Sequence, residues 1–239
     1  MIELYQYPPH WGLLNASPFC MKLEVYLKLA RIPYQTHLIN IPKKSPSHKL
    51  PFIKDGNKTI CDTSVIIDYL KATYGNPLDQ QLSQVQQARA VMAQRLLEDH
   101  LYFAIVYSRW IDEDNWKKTS AEFFQSLPKI LQIIVPGVIQ KKVKKQLWQQ
   151  GTGRLSKENI YAAGQKDLAA VAELLGNQPF FLGDSITSID ATIYTFLSCI
   201  LYPPINSPLQ AYIKQTPSLI AYCDRITKML ASPSMADAL

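Results

Sequence analysis

The sequence of residues 50–70, LPFIKDGNKTICDTSVIIDYL, decides the fold. Residues 50–54 and 58–61 carry β-forming side chains, and the Asp-Gly-Asn turn between them predicts a β-hairpin. From Asp62 onward, apolar residues recur every three or four positions, which predicts a helix that ends near Tyr74. The stretch therefore encodes two strands and a helix in succession.

The residues before this unit predict three further elements. A run of β-formers covers residues 2–7, a helix covers residues 19–30 behind a Ser-Pro start signal, and a second strand covers residues 34–39. With the hairpin and its helix, the order is β-α-β followed by β-β-α, which predicts a four-stranded mixed sheet with helices packed on it. We therefore expect a small α/β domain over residues 1–76.

Beyond residue 77 the strand patterns almost vanish and helical periodicity replaces them. A capping box, Thr187-Ser188-Ile189-Asp190, with Asp in place of the usual Glu, stands before an apolar helix. These patterns predict an all-α second domain over residues 84–239. Its helices are expected at residues 84–110, 123–134, 141–150, 157–175, 189–201 and 217–230.

The composition excludes several classes of protein. Hydrophobic residues make up 47% of the chain and charged residues 18%, which is typical of a globular protein and not of a disordered one. The formal charge of +6 is not concentrated enough to indicate nucleic acid as a partner. The longest apolar stretch, residues 130–139, is far shorter than the roughly 20 residues that span a bilayer, so no transmembrane segment is expected.

The cysteines and the N-terminus bear on the compartment. Cys20, Cys61, Cys199 and Cys223 are widely spaced and lack a pair-of-pairs pattern, so no metal site is expected. The N-terminus lacks the basic start and apolar run of a signal peptide. Reduced thiols in a cytoplasmic protein fit these observations best.

Leu50-Pro51 is the first candidate for a functional role. A proline directly before a strand has to lie at the strand's edge or start. We expect the Leu50-Pro51 peptide bond to be cis, which would turn the backbone amide and carbonyl of Leu50 outward, toward an extended peptide ligand. The alternative is an ordinary trans proline that starts a strand.

Two helix starts are the next candidates. The amides and positive dipole end at Asp62-Thr63 suit a carboxylate, and Asp62 could pair with an ammonium group, so the pair could hold the free amino-acid end of a small peptide. At Ser17-Pro18-Phe19-Cys20, a hydroxyl or a thiolate would be stabilised in the same way, and a cysteine in a first turn can have a lowered pKa. The alternatives are two plain N-caps and a buried structural cysteine.

Aromatic and basic side chains of the second domain provide further candidates. Tyr102, Tyr107 and Trp110 crowd one predicted helix and could line an apolar substrate pocket, although such enrichment is more often core. The lysines at 141, 142, 144 and 145 could contact acidic lipid or another protein, although a solvated face is the commoner outcome. For the Thr187 to Asp190 box, a structural role is expected.

Taken together, the motifs resemble those of the glutathione transferase superfamily, in which a thioredoxin-like domain precedes an all-helical one. Within it, the chain is most similar to the failed-axon-connections and metaxin-like group. The resemblance covers nearly the whole chain and rests on the stretches SPFCMKLEVYLKLA, KSPSHKLPFI, GTGRLSKENI, FFLGDSITSIDAT and SLIAYCDRI.

The resemblance implies a site for glutathione, used as a cosubstrate, between the two domains. Leu50 and Pro51 would hold the tripeptide backbone, Asp62 with Thr63 its γ-glutamyl end, and Ser17 its thiolate, with Cys20 as the alternative to Ser17. The expected function is a glutathione-dependent transferase or reductase that acts on small apolar electrophiles. The alternative is a non-catalytic binding or adaptor protein of the same fold. A homodimer is compatible with either function.

Overall fold

A four-stranded sheet organises the N-terminal region in the computed structural model, which describes residues 1–40 and 45–232. The strand order is β2-β1-β3-β4, with β1 parallel to β2 and antiparallel to β3, and β3 antiparallel to β4. The predicted mixed sheet and its β-hairpin are therefore confirmed. The strands are β1 (Ile2–Gln6), β2 (Tyr34–Leu38), β3 (Phe52–Asp55) and β4 (Lys58–Cys61).

Two helices, α1 (Pro18–Leu29) and α2 (Thr63–Tyr74), complete the α/β region, as the sequence predicts. Alternate residues of β1 point to opposite faces, so Ile2 and Leu4 are buried in the main hydrophobic core. On the other face, the ring of Tyr5 stacks on that of Phe52, with 4.4 Å between their centroids.

The rest of the described chain is helical. Helix α1 packs against α8, whose residues after Ser188 are all buried, so the two regions share one core. Apart from an isolated bridge between Phe180 and Gly183, no strand pairing occurs in residues 85–232, and residues 233–239 of the predicted helical domain lie outside the described part. The helices are α3 (Gln84–Arg95), α4 (Tyr102–Trp110), α5 (Glu113–Phe124), α6 (Lys129–Gln150), α7 (Lys157–Leu175), α8 (Ser188–Leu201), α9 (Pro208–Lys214) and α10 (Pro217–Leu230).

The long helix expected at residues 84–110 is present, with one irregularity. Helices α3 and α4 run on from each other through a π-helical segment, Leu96–Leu101. A π turn inserts an extra residue into the helix and rotates the side chains after it, and such segments often lie at functional sites. The buried side chain of Glu98 projects from this segment.

The predicted bounds of the helices at 123–134 and 141–150 are wrong, although residues 129–134 and 141–150 are helical. Helix α5 ends at Phe124, and α6 then runs for 22 residues through Pro136. The break falls at Pro128 because a proline suits a helix start and disfavours helical geometry at the residue before it. Pro136 removes one hydrogen bond, but a helix of this length keeps its other bonds. Helix α9 was not predicted.

Candidate functional site

Ser17 lies at the start of α1, where the sequence predicts it. Its side chain is half-buried, and the hydroxyl makes no capping bond to the helix. Its position is fixed from the other side by the fully buried Asn15, which accepts from the Ser17 amide (3.0 Å) and donates to the Tyr7 carbonyl (2.6 Å). The hydroxyl therefore lies at a positive helix end without a capping bond to the helix backbone, and its partner there is the Cys20 side chain.

Cys20, the alternative to Ser17, lies one turn further along α1 and is fully buried. Burial raises the pKa of its thiol to about 12, and hydrogen bonds with the Tyr7 backbone and the Ser17 side chain offset only part of that effect. A thiol with such a pKa is protonated at neutral pH, so it lacks the thiolate that reacts.

Leu50 and Pro51 lie close to the start of α1. The Leu50-Pro51 peptide bond is cis, as the sequence predicts. Leu50 forms a small buried cluster with Cys20 and Phe52, against which Tyr7 packs. Ser17 and Leu50 are therefore brought to the same end of the sheet.

Asp62 forms the N-cap of α2 and is exposed. Its Oδ1 accepts from the Ser64 amide (2.9 Å) and the Val65 amide (3.4 Å), and its φ of 72° lies in the left-handed region. Asp62 therefore acts as an N-cap, which is the structural alternative that the sequence left open. Both of these bonds use Oδ1 and neither uses the second carboxylate oxygen, Oδ2.

Thr63 is buried and belongs to a polar network that sequence reasoning missed. Lys22 Nζ donates to Thr63 Oγ1 (3.5 Å) and to Glu98 Oε1 (2.5 Å). Gln94 Nε2 donates to the other oxygen of Glu98 (3.1 Å) and to Ser64 Oγ (2.8 Å). The first turn of α2 is therefore tied to α1 and to the π-helical segment.

A second missed residue, Arg109 of α4, fixes the loop before Ser17. Its guanidinium is buried and donates to the carbonyls of Ala16 and Cys199, both at 2.5 Å. It also lies over the Trp11 ring, 5.2 Å from the centroid. The only local signal for Arg109 is its place in an aromatic-rich helix, for which the sequence left a pocket wall and core packing open.

The three predicted pocket residues separate in space. The Tyr102 ring meets that of Phe19 edge-on at 5.0 Å, next to the start of α1. The Trp110 ring contacts that of Phe123 at 5.7 Å, and Phe123 in turn contacts Trp11 at 4.7 Å, in the loop after β1.

The ring of Tyr107 turns away and contacts that of Tyr161 at 5.9 Å. The structure therefore brings Tyr102 to the start of α1 and links Trp110, through Phe123, to Trp11 in the loop after β1. It does not bring Tyr107 there.

Two tyrosines near the start of α1 remain protonated donors at neutral pH. Burial raises the pKa of Tyr7 to about 12, and the nearby Cys20 and Tyr102 add to the increase. Burial also raises the pKa of Tyr102, while the charge of Arg109 opposes that rise. An anion that formed beside these two rings would thus meet hydroxyl donors, with the Arg109 charge nearby.

The capping box has the predicted structural role. The Asp190 carboxylate is fully buried and accepts from the Thr187 amide (2.8 Å), the Phe181 amide (2.9 Å) and the Tyr222 hydroxyl (2.8 Å). Within residues 1–40 and 45–232, no group of three or more metal-ligating side chains occurs, and no helix is long and apolar enough to cross a bilayer.

Comparison with known proteins identifies two family domains. A model of the glutathione S-transferase N-terminal domain matches residues 18–115, and one of the glutathione S-transferase C-terminal domain matches residues 164–226. Among solved structures, the β-etherase LigF from Sphingobium sp. strain SYK-6 aligns with a TM-score of 0.68 at 15% identity, covering 99% of this chain and 98% of that one. Human glutathione transferase theta-2, in complex with glutathione, aligns with a TM-score of 0.62 at 18% identity, covering 100% and 86%. The predicted fold is therefore confirmed.

Sequence relatives include both groups that the motifs resemble. Failed axon connections of Drosophila melanogaster is 31% identical, over 95% of this chain but only 57% of its own length. Metaxin-1 of Macaca fascicularis is 28% identical, over 95% of this chain and 74% of its own. The isoprene-epoxide–glutathione S-transferase of Rhodococcus sp. (strain AD45) is 34% identical, over 95% of this chain and 98% of its own length. The chain therefore belongs to the glutathione S-transferase family.

Proposed function

We propose that the protein is a glutathione-dependent transferase or reductase that acts on small apolar electrophiles. The observation that carries the proposal is the difference between the two candidate groups on α1. The Ser17 hydroxyl lies half-exposed at the helix start without a capping bond, whereas the Cys20 thiol is fully buried with a raised pKa. In this proposal Ser17 donates a hydrogen bond to the glutathione sulfur and so favours its thiolate form.

The anchoring of glutathione in this proposal uses the first turn of α2 and the backbone of Leu50. The amide and hydroxyl of Thr63 would hold the γ-glutamyl carboxylate, and the Asp62 carboxylate would pair with its ammonium group. The extended tripeptide would pass Leu50, which packs next to the start of α1. Support comes from the connection of all three positions through α1, since Cys20 and Leu50 share one buried cluster and Lys22 donates to Thr63.

The electrophile pocket in this proposal lies over the start of α1, with Tyr102 and the aromatic rings around Trp11 as its apolar wall. The Rhodococcus relative is named for an epoxide of isoprene, a small apolar electrophile. An isoprene-type epoxide is therefore the first substrate to test, followed by a chromogenic aryl halide.

The alternative is a binding or adaptor protein without turnover. One observation favours it: Asp62 already occupies the amides of Ser64 and Val65, which a ligand carboxylate at this helix start would use. Calorimetry with glutathione separates the two proposals. Absence of binding at millimolar concentration would refute the transferase proposal and leave the adaptor.

Substitutions test the assignment of Ser17. We expect Ser17→Ala to lower conjugation turnover by about 10- to 150-fold and to leave glutathione affinity within a few-fold, because a hydrogen bond to a charged group is worth about 1.5–3 kcal/mol. Thr63→Ala should mainly weaken glutathione binding. Ser156→Ala, which removes a capping serine from α7, is the matched control and should keep full activity. If Ser17→Ala keeps activity while Cys20→Ala loses it, the role belongs to Cys20.

We also propose that the protein works in the cytoplasm. All four cysteines are free thiols, and three of them are buried, which suits a reducing compartment. Expression of a fluorescent fusion in cells of the source species, followed by fractionation, would test the location.

A further inference from the structure

Helix α6 carries an apolar surface with nothing packed on it. Most of its first ten residues are exposed, and Ile130 and Ile133 show 74% and 82% of their surface to solvent. Monomeric proteins rarely leave such groups contiguous unless the surface binds something. We call the exposed apolar residues the apolar end of α6: Ile130, Leu131, Ile133, Ile134 and Val138.

A cluster of exposed lysines follows directly on the same helix. We call it the lysine collar: Lys141, Lys142, Lys144 and Lys145. Including Lys129, the helix carries five lysines and no acidic residue. Its outer surface is therefore apolar at one end and strongly positive next to it.

The two groups share one side of the helix. At about 100° per residue, Ile130, Ile134, Lys141 and Lys145 fall within a sector of about 60°. The buried Pro136 and Leu147 lie elsewhere around the helix and face the protein. Polarity on the exposed side thus changes along the helix axis and not around it.

We propose that α6 docks the protein on a bilayer that contains anionic lipid. From Ile130 to Val138 the apolar end extends about 12 Å along the axis, eight rises of about 1.5 Å each, so an oblique helix would sink it to the roughly 5–10 Å depth typical of interfacial helices. The lysine collar would then lie at the level of the lipid headgroups and contact their phosphates. Trp148, exposed one turn beyond the collar, also suits the membrane–water interface.

A second copy of the chain fits this surface less well. Paired over their full length, two copies of α6 would set lysines against isoleucines if antiparallel and lysines against lysines if parallel. Both arrangements bury unpaired positive charge. In a bilayer, the acyl chains would contact the apolar end, and the headgroup phosphates would contact the lysine collar.

Vesicle sedimentation of the full chain tests the proposal. We expect the wild type to sediment with phosphatidylcholine vesicles that contain phosphatidylglycerol, to stay largely unbound with phosphatidylcholine alone, and to be released by salt. Ile130→Glu/Ile133→Glu should abolish binding, since both side chains are exposed and the fold should persist. Replacing the four lysines of the collar by glutamine should weaken binding to anionic vesicles by about tenfold or more.

The matched control is Val85→Glu/Leu174→Glu, which adds the same charge at exposed apolar positions of α3 and α7. This variant should bind as the wild type does. The proposal is overturned if the wild type ignores anionic vesicles, or if the isoleucine variant binds as well as the control. It is also overturned if sedimentation velocity shows a dimer that only the isoleucine variant dissociates while vesicles stay unbound.

Discussion

The buried ion pair between Lys22 and Glu98 yields a prediction whose size follows from the structure. The side chains expose 2% and 7% of their surface, and Nζ lies 2.5 Å from Oε1. Removing one member of such a pair leaves the other charge buried without a partner, which costs about 3–5 kcal/mol. We therefore expect Lys22→Met and Glu98→Leu each to lower the free energy of unfolding by about that amount.

The double variant should recover most of this loss. Lys22→Met/Glu98→Leu replaces both charges by apolar groups of similar volume, so no charge stays buried and the stability should return to within about 1–2 kcal/mol of the wild type. The coupling free energy from the cycle should then be at least about 3 kcal/mol. Urea unfolding followed by circular dichroism, with the slope checked for each variant, measures all four corners.

The neighbouring pair of Arg95 and Asp99 is the matched control. It lies 3.5 Å apart, both side chains are 63% exposed, and Asp99→Asn should change stability by less than about 1 kcal/mol. The reasoning is refuted if both single variants of the buried pair also stay within that range. It is equally refuted if the double variant loses the sum of the two single losses, since the charges would then act independently.

Asp79→Asn should make the melting temperature less dependent on pH in the acidic range. Burial raises the pKa of Asp79, but the bond from Lys71 (2.6 Å) and those from Ser188 outweigh it, so the folded pKa lies below its ordinary value. The wild type thus gains stability above an unfolded pKa of about 3.9 and loses it as the pH falls through the folded value. Separately, Gly164→Ala should destabilise the fold by about 1–3 kcal/mol in urea unfolding, because its Cβ would lie 2.7 Å from Leu209 Cδ2. Gly137→Ala, which meets no atom within 4 Å, should instead stabilise α6 by up to about 1 kcal/mol.

Local patterns were sufficient to predict most of the fold. The hairpin turn at 55–57 and the Ser-Pro start of α1 are decided by residues adjacent in sequence, so the sheet and its two helices were predicted with small boundary errors. The error at 123–134 arose because an apolar run was taken as one helix across Pro128. The π-helical segment carries no sequence signal, since it depends on packing against α7 and α8.

The candidate site was predictable only in part. Local sequence features predict three of its residues: two helix starts indicate Ser17 and Thr63, and an X-Pro bond indicates Leu50. Lys22 and Glu98 were missed because they are 76 residues apart and meet only in the folded chain. From the sequence alone, Lys22 is expected to be an ordinary surface charge, because its partner Glu98 cannot be identified.

In the proposed function, the helical region contributes to the electrostatics around Ser17 through Arg109. The buried guanidinium of Arg109 donates to two carbonyls and lies over an aromatic ring. Within the described residues, no acidic side chain pairs with it. A buried cation without a counter-charge favours any anion formed nearby. Its effect is already present at Cys199, where the Arg109 charge opposes the rise in thiol pKa that burial causes. Because Arg109 holds the carbonyl of Ala16, the residue before Ser17, the same side chain that positions the hydroxyl also supplies positive charge behind it. In the proposed function, a glutathione thiolate that accepts a hydrogen bond from Ser17 would therefore depend on α4 for both its position and its stability.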